Sequence, residues 1–260
     1  MLRKTKELRG YKLGARDGEL GHLKDFYFDD QTWTVRYLVA DTGDWLPHRK
    51  VLLSPFAVTG LHETPHKAVE FNLTKKQIEE SPSIEAHKTV SRQYEERYFQ
   101  YYRLPYYWPG PSPWGPLDLP GPDVSPVLPP EPPGSPPAES EDSHLRSINE
   151  VSGYRIQALD EAFGHIEQFI LDDENWAIRY LVADTRNWWA GKRVLLAPSW
   201  ISWVSWSEAR VYVDLDRETV RRGPEYDLSA PLTRKYEQEL FEHYNREPYW
   251  GTAHESAATR

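Results

Sequence analysis

The chain contains one stretch of sequence twice, with few changes. The two copies read Asp29-Asp30-Gln31-Thr32-Trp33-Thr34-Val35-Arg36-Tyr37-Leu38-Val39-Ala40-Asp41-Thr42 and Asp172-Asp173-Glu174-Asn175-Trp176-Ala177-Ile178-Arg179-Tyr180-Leu181-Val182-Ala183-Asp184-Thr185. In both, a polar run suited to a tight turn precedes a run rich in β-branched and aromatic residues, which is typical of a strand. Trp33, Val35, Tyr37 and Val39 share one face of that strand, because side chains alternate along it. The stretch predicts a mainly β fold that is built twice.

The repetition extends well beyond this stretch. Gly10 aligns with Gly153 at an offset of 143 residues (153 minus 10). After a gap of one residue, Tyr107 aligns with Tyr249 at an offset of 142 (249 minus 107). Each copy spans about 100 residues, which is the size of a small domain. We therefore predict two domains of the same fold.

The domain boundaries follow from the repeat and from a change in composition. We assign residues 1–104 to the first repeat and residues 146–251 to the second, each with helices at its C-terminal end. Residues 105–145 are rich in Pro and carry acidic side chains but no Lys or Arg. Such a segment cannot donate a ladder of hydrogen bonds, so it predicts a disordered linker. Residues 252–260 are predicted to form a disordered tail.

The composition excludes several classes of function. The chain has no cysteine, which rules out disulfides, thiolate zinc sites and cysteine nucleophiles. Its formal net charge of -9 argues against a nucleic-acid partner, which would require clustered basic residues. No window approaches the roughly 18 apolar residues of a membrane span. Since the N-terminus also lacks an apolar segment behind its charges, we expect no direct membrane insertion and a cytoplasmic location.

Each repeat also contains helical patterns after its strands. Thr74 and Gln77 have the spacing of a capping box for a short helix. Tyr94, Tyr98 and Tyr102 then recur at helical spacing, which predicts an amphipathic helix that covers one face of the strands. A small unit with this many strands is best closed into a barrel, because closure removes exposed edges.

The whole pattern resembles the PRC-barrel family. The resemblance rests on a Gly-centred strand, the acidic turn, the strand from Trp33 to Thr42, and the run Arg49-Lys50-Val51-Leu52-Leu53-Ser54-Pro55 after Trp45. Two tandem copies look like bacterial proteins similar to the H protein of the photosynthetic reaction centre, and the ribosome-maturation factor RimM also contains such a barrel. The resemblance implies two small PRC-type β-barrels, each followed by short amphipathic helices. It implies an assembly or interaction module and brings no catalytic residues or cofactor.

Three functions are compatible with the sequence. We favour a non-enzymatic scaffold that binds a protein partner, with the two barrels docked on each other or free to recruit different partners. No nucleophile elbow and no Gly-rich phosphate loop is present, so we expect no catalytic, cofactor or metal site. One alternative is a small-ligand, pH or metal sensor, or an enzyme, with a pocket between the barrels. Another is a role in photosynthetic electron or proton transfer like that of the reaction-centre H protein, which follows only from the resemblance.

An aromatic run in the second repeat is the best candidate for partner binding. Trp200, Trp203 and Trp206 lie in a stretch whose counterpart in the first repeat has no tryptophan. Tryptophan is enriched among the residues that dominate binding energy at interfaces. The alternative interpretation is ordinary packing inside the barrel.

Two sets of charged or titrating residues recur at equivalent positions. Arg36 with Asp41, and Arg179 with Asp184, belong to strands with apolar neighbours, so each Arg requires an acceptor. We expect them to anchor the covering helix or a partner, and a purely structural bond is the alternative.

The paired histidines His22 and His165 follow equivalent glycines and could titrate or bind a metal. A structural role is the alternative, since metal sites need several converging ligands.

Overall fold

The structure is a computed structural model that describes residues 1–47, 49–63, 66–84, 90–108, 112–115, 117, 119–122, 144–185 and 192–251. The chain divides into two compact units. Unit 1 comprises residues 1, 3–150 and 171–178, and unit 2 comprises residues 2, 151–170 and 179–260.

The strands and helices follow one another in the same order in the two halves of the chain. The first half contains β1 (Leu2–Lys4), α1 (Thr5–Leu8), β2 (Lys12–Ala15), β3 (Gly18–Asp29), β4 (Thr34–Asp41), β5 (Val51–Leu53), β6 (Val58–His62), β7 (Ala68–Phe71), α2 (Lys75–Glu80) and α3 (Arg92–Tyr102). The second half contains β8 (Leu145–Ser147), α4 (Ile148–Val151), β9 (Arg155–Gln157), β10 (Ala162–Asp172), β11 (Ile178–Asp184), β12 (Arg193–Leu196), β13 (Ile201–Ser205), β14 (Arg210–Val213), α5 (Arg217–Arg222) and α6 (Arg234–His243). A one-turn 3-10 helix precedes β6, at Pro55–Ala57, and another precedes β13, at Pro198–Trp200.

Each unit is built around a seven-stranded sheet of the same topology. In unit 1 the order is β5-β4-β3-β2-β7-β6, and β8 also pairs with β3. In unit 2 the order is β12-β11-β10-β9-β14-β13, and Leu2 of β1 adds to this unit beside β10. Most pairs are antiparallel, whereas β2 with β7 and β9 with β14 are parallel. The predicted mainly β fold is confirmed, and each sheet is an open path of strands in the described part of the chain. Within that part, no helix has the length and apolar character needed to cross a membrane.

The repeated stretch forms the β3–β4 hairpin of unit 1. The Asp29 carboxylate accepts hydrogen bonds from the backbone N–H groups of Gln31 (2.9 Å) and Thr32 (3.1 Å), which closes the turn. Trp33 completes it with a positive φ of 52°. Val35 and Tyr37 are fully buried on one face of β4, and Leu38 is fully buried on the other. The strand is therefore covered on both faces, which explains why its sequence is apolar on both.

The helices begin where the sequence places their caps. Thr74 and Gln77 form the predicted capping box of α2, in which the Thr74 hydroxyl accepts from the Gln77 N–H (3.2 Å) and the Gln77 carbonyl oxygen accepts from the Thr74 N–H (2.8 Å). The predicted tyrosine helix is α3, and its Tyr94 and Tyr98 are buried.

Part of the range predicted as a linker is folded. Tyr106, Tyr107 and Trp114 are buried in unit 1, and Leu145–Ser147 pairs with β3. The prediction of disorder followed from the high proline content and gave no weight to these aromatic side chains. Their burial favours an ordered chain. Residues 123–143, where the linker prediction is centred, and the predicted tail at residues 252–260 lie outside the described residues.

Unit 1 also includes residues 171–178 from the second copy of the repeated stretch. The Val35 N–H donates to the Trp176 carbonyl oxygen (2.8 Å), and the Ile178 N–H donates to the Trp33 carbonyl oxygen (2.7 Å). The Trp114 indole donates to the Asn175 carbonyl oxygen at 2.8 Å. Through these bonds, residues from the second copy of the repeated stretch form part of unit 1.

Gly21 is expected to be irreplaceable in β3. Its φ is +127°, and a Cβ there would overlap the Asp41 carbonyl group of β4. We expect Gly21→Ala to lower the free energy of unfolding by about 2–4 kcal/mol, because strain and steric overlap add. Gly43→Ala is the matched control, since φ is +55° and nothing lies within 4 Å of the added Cβ; it should cost only about 1 kcal/mol. Urea unfolding checks both values, and equal losses would contradict the role of overlap.

Candidate binding site

The clearest candidate for a binding site is an exposed aromatic surface on unit 2. Trp203 of β13 lies opposite Tyr212 of β14, and the two rings stack with centroids 4.3 Å apart and an interplanar angle of 11°. The Trp203 side chain is 53% exposed and that of Leu159 is 69% exposed. Both border a shallow groove of about 420 Å³ that also contacts Arg210. We call Leu159, Trp203, Arg210 and Tyr212 the Trp203 surface.

The fold does not require this surface. The equivalent register position in unit 1 pairs Gly60 of β6 with Glu70 of β7. Unit 1 thus has the same strands without an aromatic pair at this place. Because large apolar side chains are usually buried when packing requires them, the exposure of Trp203 and Leu159 shows that the packing of unit 2 does not depend on covering them.

The other two predicted tryptophans have different surroundings. Trp200 is only 2% exposed, and its ring lies 5.4 Å from Phe241 and 4.7 Å from Tyr244. Trp206 is half-buried and lies 6.2 Å from the Tyr154 ring. The alternative interpretation, that the side chain packs inside the fold, therefore applies to Trp200. Of the three tryptophans predicted to bind a partner, only Trp203 is exposed.

Arg36 is held inside unit 1. Its guanidinium donates to the Asp29 carboxylate (3.4 Å), the Thr32 hydroxyl (2.9 Å) and the Pro113 carbonyl oxygen (2.5 Å). It also stacks on the Tyr107 ring at 3.8 Å. Burial lowers the pKa of the Arg36 guanidinium, and the neighbouring Tyr107 and Asp29 oppose that shift.

The acidic residues that were singled out with the two arginines, Asp41 and Asp184, have different surroundings. Asp41 is exposed, and its carboxylate accepts from the Gly43 N–H at 3.2 Å. In unit 2, Arg179 stacks on the Tyr249 ring at 4.1 Å, and Asp184 is buried. Since Tyr107 and Tyr249 are equivalent, both arginines hold the aromatic segment that follows the last helix. These contacts favour a structural role for the two arginines.

A buried carboxylate that the sequence analysis did not single out lies beside Arg36. Glu95 of α3 is fully buried, and its Oε1 accepts hydrogen bonds from the Tyr37 hydroxyl (3.1 Å) and the Tyr107 hydroxyl (2.6 Å). Its Oε2 lies 3.1 Å from Arg92 Nη1 and 3.2 Å from His144 Nε2. Burial, together with the Glu95 charge, raises the pKa of both tyrosines. This network ties the helix to the sheet.

Unit 2 repeats the network with its own residues. Glu237 of α6 accepts from the Tyr180 hydroxyl (2.7 Å) and the Tyr249 hydroxyl (3.0 Å) and lies 3.2 Å from Arg234. Burial raises the pKa of Tyr249 to about 12. The repeat alignment is the signal that could have found both carboxylates, because an equivalent Glu occurs in the same turn of each last helix.

Few side chains that could bind a metal ion lie near the two predicted histidines. His22 is exposed on β3 in register with Lys12 and Asp41, and His165 is half-buried on β10 in register with Arg155. In the described ranges, no three His, Asp or Glu side chains are grouped so that they could hold a metal ion. No set of ligands therefore converges on either histidine there.

The Trp203 surface is thus the site that combines exposure, aromatic character and independence from the packing of the fold. Its function has to be inferred from its own chemistry, because no protein-family model matches the chain and no curated protein is significantly similar to it in sequence.

Proposed function

We propose that this chain is a non-enzymatic interaction or scaffold protein that binds a protein partner through the Trp203 surface. The observation that carries the proposal is the exposed, stacked Trp203–Tyr212 pair. Stacking holds the indole in one orientation, so little side-chain entropy is lost when a partner covers it. Arg210 adds a charged group at the edge of the surface. Trp, Tyr and Arg are the residue types enriched where interfaces derive most of their binding energy.

We further propose that each unit is a PRC-type barrel. The first and last strands of each open path are consecutive in the chain, since β5 ends at Leu53 and β6 begins at Val58. Five residue steps span at most about 18 Å, so this short connection keeps the two ends of the sheet close together. Such a sheet has to curl, as a small barrel does. The same arrangement of β12 and β13 supports the proposal for unit 2.

Replacement of Trp203 tests the proposed function. We expect Trp203→Ala to weaken partner binding by about 2 kcal/mol or more, or roughly 30-fold, because it removes the proposed anchor. The melting temperature should barely change, because the side chain is half exposed already. The full-length chain is used as bait, partners are identified by mass spectrometry, and the affinity of each purified partner is then measured for both forms.

Two controls make the experiment specific. Leu119→Ala removes another large exposed apolar side chain, which is 52% exposed, and should leave binding unchanged. The double variant His22→Ala, His165→Ala should also retain the partner. If the histidine variant loses the bound molecule and Trp203→Ala keeps it, the sensor or enzyme alternative replaces the scaffold proposal.

A further inference from the structure

Unit 1 contains a surface cavity that is independent of the Trp203 surface. Its volume is about 510 Å³, within the range of about 300–1,000 Å³ that is usual for small-molecule sites. Phe56, Tyr98 and Tyr102 provide aromatic walls, and Asn72 provides an amide group. Tyr101 at the rim is 38% exposed, so the cavity is open to solvent.

Unit 2 shows what fills the equivalent place. Ala57 borders the cavity in unit 1, and its counterpart in unit 2 is Trp200. The equivalence is supported by backbone bonding, because the Asn72 N–H donates to the Ala57 carbonyl oxygen and the Asp214 N–H donates to the Trp200 carbonyl oxygen, both at 2.8 Å. Each residue ends the 3-10 helix that precedes the next strand. The two units therefore differ here in a side chain and share the backbone that positions it.

The indole of Trp200 packs on the counterpart of a cavity wall. Its ring lies 4.7 Å from the ring of Tyr244, which corresponds to Tyr102 in the repeat alignment. Tyr102 borders the open cavity in unit 1. In unit 1, Phe56 packs on Phe99, the counterpart of Phe241, with ring centroids 6.3 Å apart. The framework therefore accommodates a ring of indole size against Tyr244 in unit 2, whereas position 57 of unit 1 has only an alanine side chain beside Tyr102.

A second difference concerns two residues that line the cavity. In unit 2, Arg246 donates to the Asp214 carboxylate at 2.9 Å and to its carbonyl oxygen at 2.8 Å. The counterparts in unit 1 are Leu104 and Asn72, which form no ion pair and both line the cavity. This pair of changes replaces the ion pair by a neutral amide and an apolar side chain, and Arg103 is the charged residue that also lines the cavity.

From these observations we propose that the unit 1 cavity binds a small, planar aromatic compound of about the size of indole. The ring would lie against Tyr98 and Tyr102, and the Asn72 amide would select for a polar atom on the compound. The chain itself provides the precedent, because unit 2 fills the corresponding space with its own Trp200. Pockets that combine aromatic walls with a few polar groups commonly bind small molecules.

The test uses the full chain and a fluorinated indole observed by fluorine NMR. We expect saturable binding to the unmodified chain at one site. Ala57→Trp should weaken that binding at least about tenfold, because the introduced side chain would occupy the cavity as Trp200 does. Asn72→Asp combined with Leu104→Arg copies the ion pair of unit 2 and provides an independent way to close the rim. It should weaken binding as well, which keeps the test valid if Ala57→Trp fails to fold.

A swap variant with unchanged composition is the matched control. Ala57→Trp combined with Trp200→Ala should bind the fluorinated indole at one site with a different fluorine shift, because the cavity has moved to unit 2. N-acetyl-tryptophanamide distinguishes a free compound from a peptide side chain. Binding of the amide more tightly than the indole would overturn the assignment to a free compound. Undiminished indole binding by a folded Ala57→Trp chain would overturn the site itself.

Discussion

Raising the pH from about 9 to about 11 is expected to reduce the free energy of unfolding of unit 1 by about 6 kcal/mol. Tyr37, Tyr94, Tyr98 and Tyr107 are buried, and burial raises the pKa of each phenol well above its ordinary value near 10. The native unit keeps these protons at a pH where the unfolded chain releases them. Unfolding therefore releases protons, and increasing pH promotes it.

The magnitude follows from proton linkage. Each phenol that stays protonated in the native state contributes about 1.4 kcal/mol of lost stability per pH unit above the unfolded pKa. The loss begins near pH 10 and continues until the folded pKa is reached. Four such groups give a total comparable with the 5–15 kcal/mol stability of a typical domain. We therefore expect unit 1 to lose a large part of its stability by pH 11.

Urea unfolding at pH 9, 10 and 11, followed by circular dichroism, measures this dependence. Tyr98→Phe provides the internal check. It removes the hydroxyl that donates to the Leu52 carbonyl oxygen and accepts from the Ser54 N–H, each at 3.1 Å, so it lowers stability at neutral pH. It also removes one titrating group, which should reduce the loss of stability between pH 9 and pH 11 by about 1.4 kcal/mol. A free energy of unfolding that stays constant between pH 9 and 11 would contradict this account.

Glu95→Ala is expected to destabilise unit 1 by about 3–5 kcal/mol at neutral pH. The change deprives the Tyr37 and Tyr107 hydroxyls of their acceptor and leaves Arg92 without the carboxylate 3.1 Å away. Buried polar groups that lose their partner cost their full desolvation penalty, and a cavity adds to it. Thermal and urea unfolding measure the loss.

The neighbouring Glu96→Ala is the matched control, because Glu96 lies on the same helix and is only partly buried. It should change stability by less than about 0.5 kcal/mol. Glu95→Gln retains the side-chain oxygen that accepts from the tyrosines and should cost less than Glu95→Ala. If Glu95→Ala and Glu96→Ala cost the same, the network does not tie α3 to the sheet.

The repeat predicted the fold class because the features that define it depend on residues that are close together in the sequence. The turn at Asp29, the alternation through Val35 and Tyr37, and the cap at Thr74 all depend on neighbours within a few residues. Each of these features is present in the structure. Pairing of β8 with β3 could not be foreseen, since it joins residues more than 100 positions apart.

The candidate sites were less predictable for a related reason. Trp200, Trp203 and Trp206 recur every three residues, a spacing that fits neither the alternation of a strand nor a single environment. Trp200 ends a 3-10 helix and points into the core, whereas Trp203 is on a strand and is exposed. Glu95 follows Tyr94 and precedes another Glu, so its sequence context is that of a carboxylate exposed to solvent. Its two hydrogen-bonding partners, Tyr37 and Tyr107, are evident only from the tertiary structure.

Residues 171–178 give the protein an order of assembly during translation. Unit 1 includes these residues through backbone bonds from Trp33 and Val35, although most of its chain has been synthesised long before them. Domains usually fold in turn as they leave the ribosome, at about 5–20 residues per second. In this protein, unit 1 cannot form its backbone bonds at Trp33 and Val35 until Ile178 has emerged from the ribosome. A nascent chain released before that point would expose the hairpin around Trp33 to chaperones or to other chains.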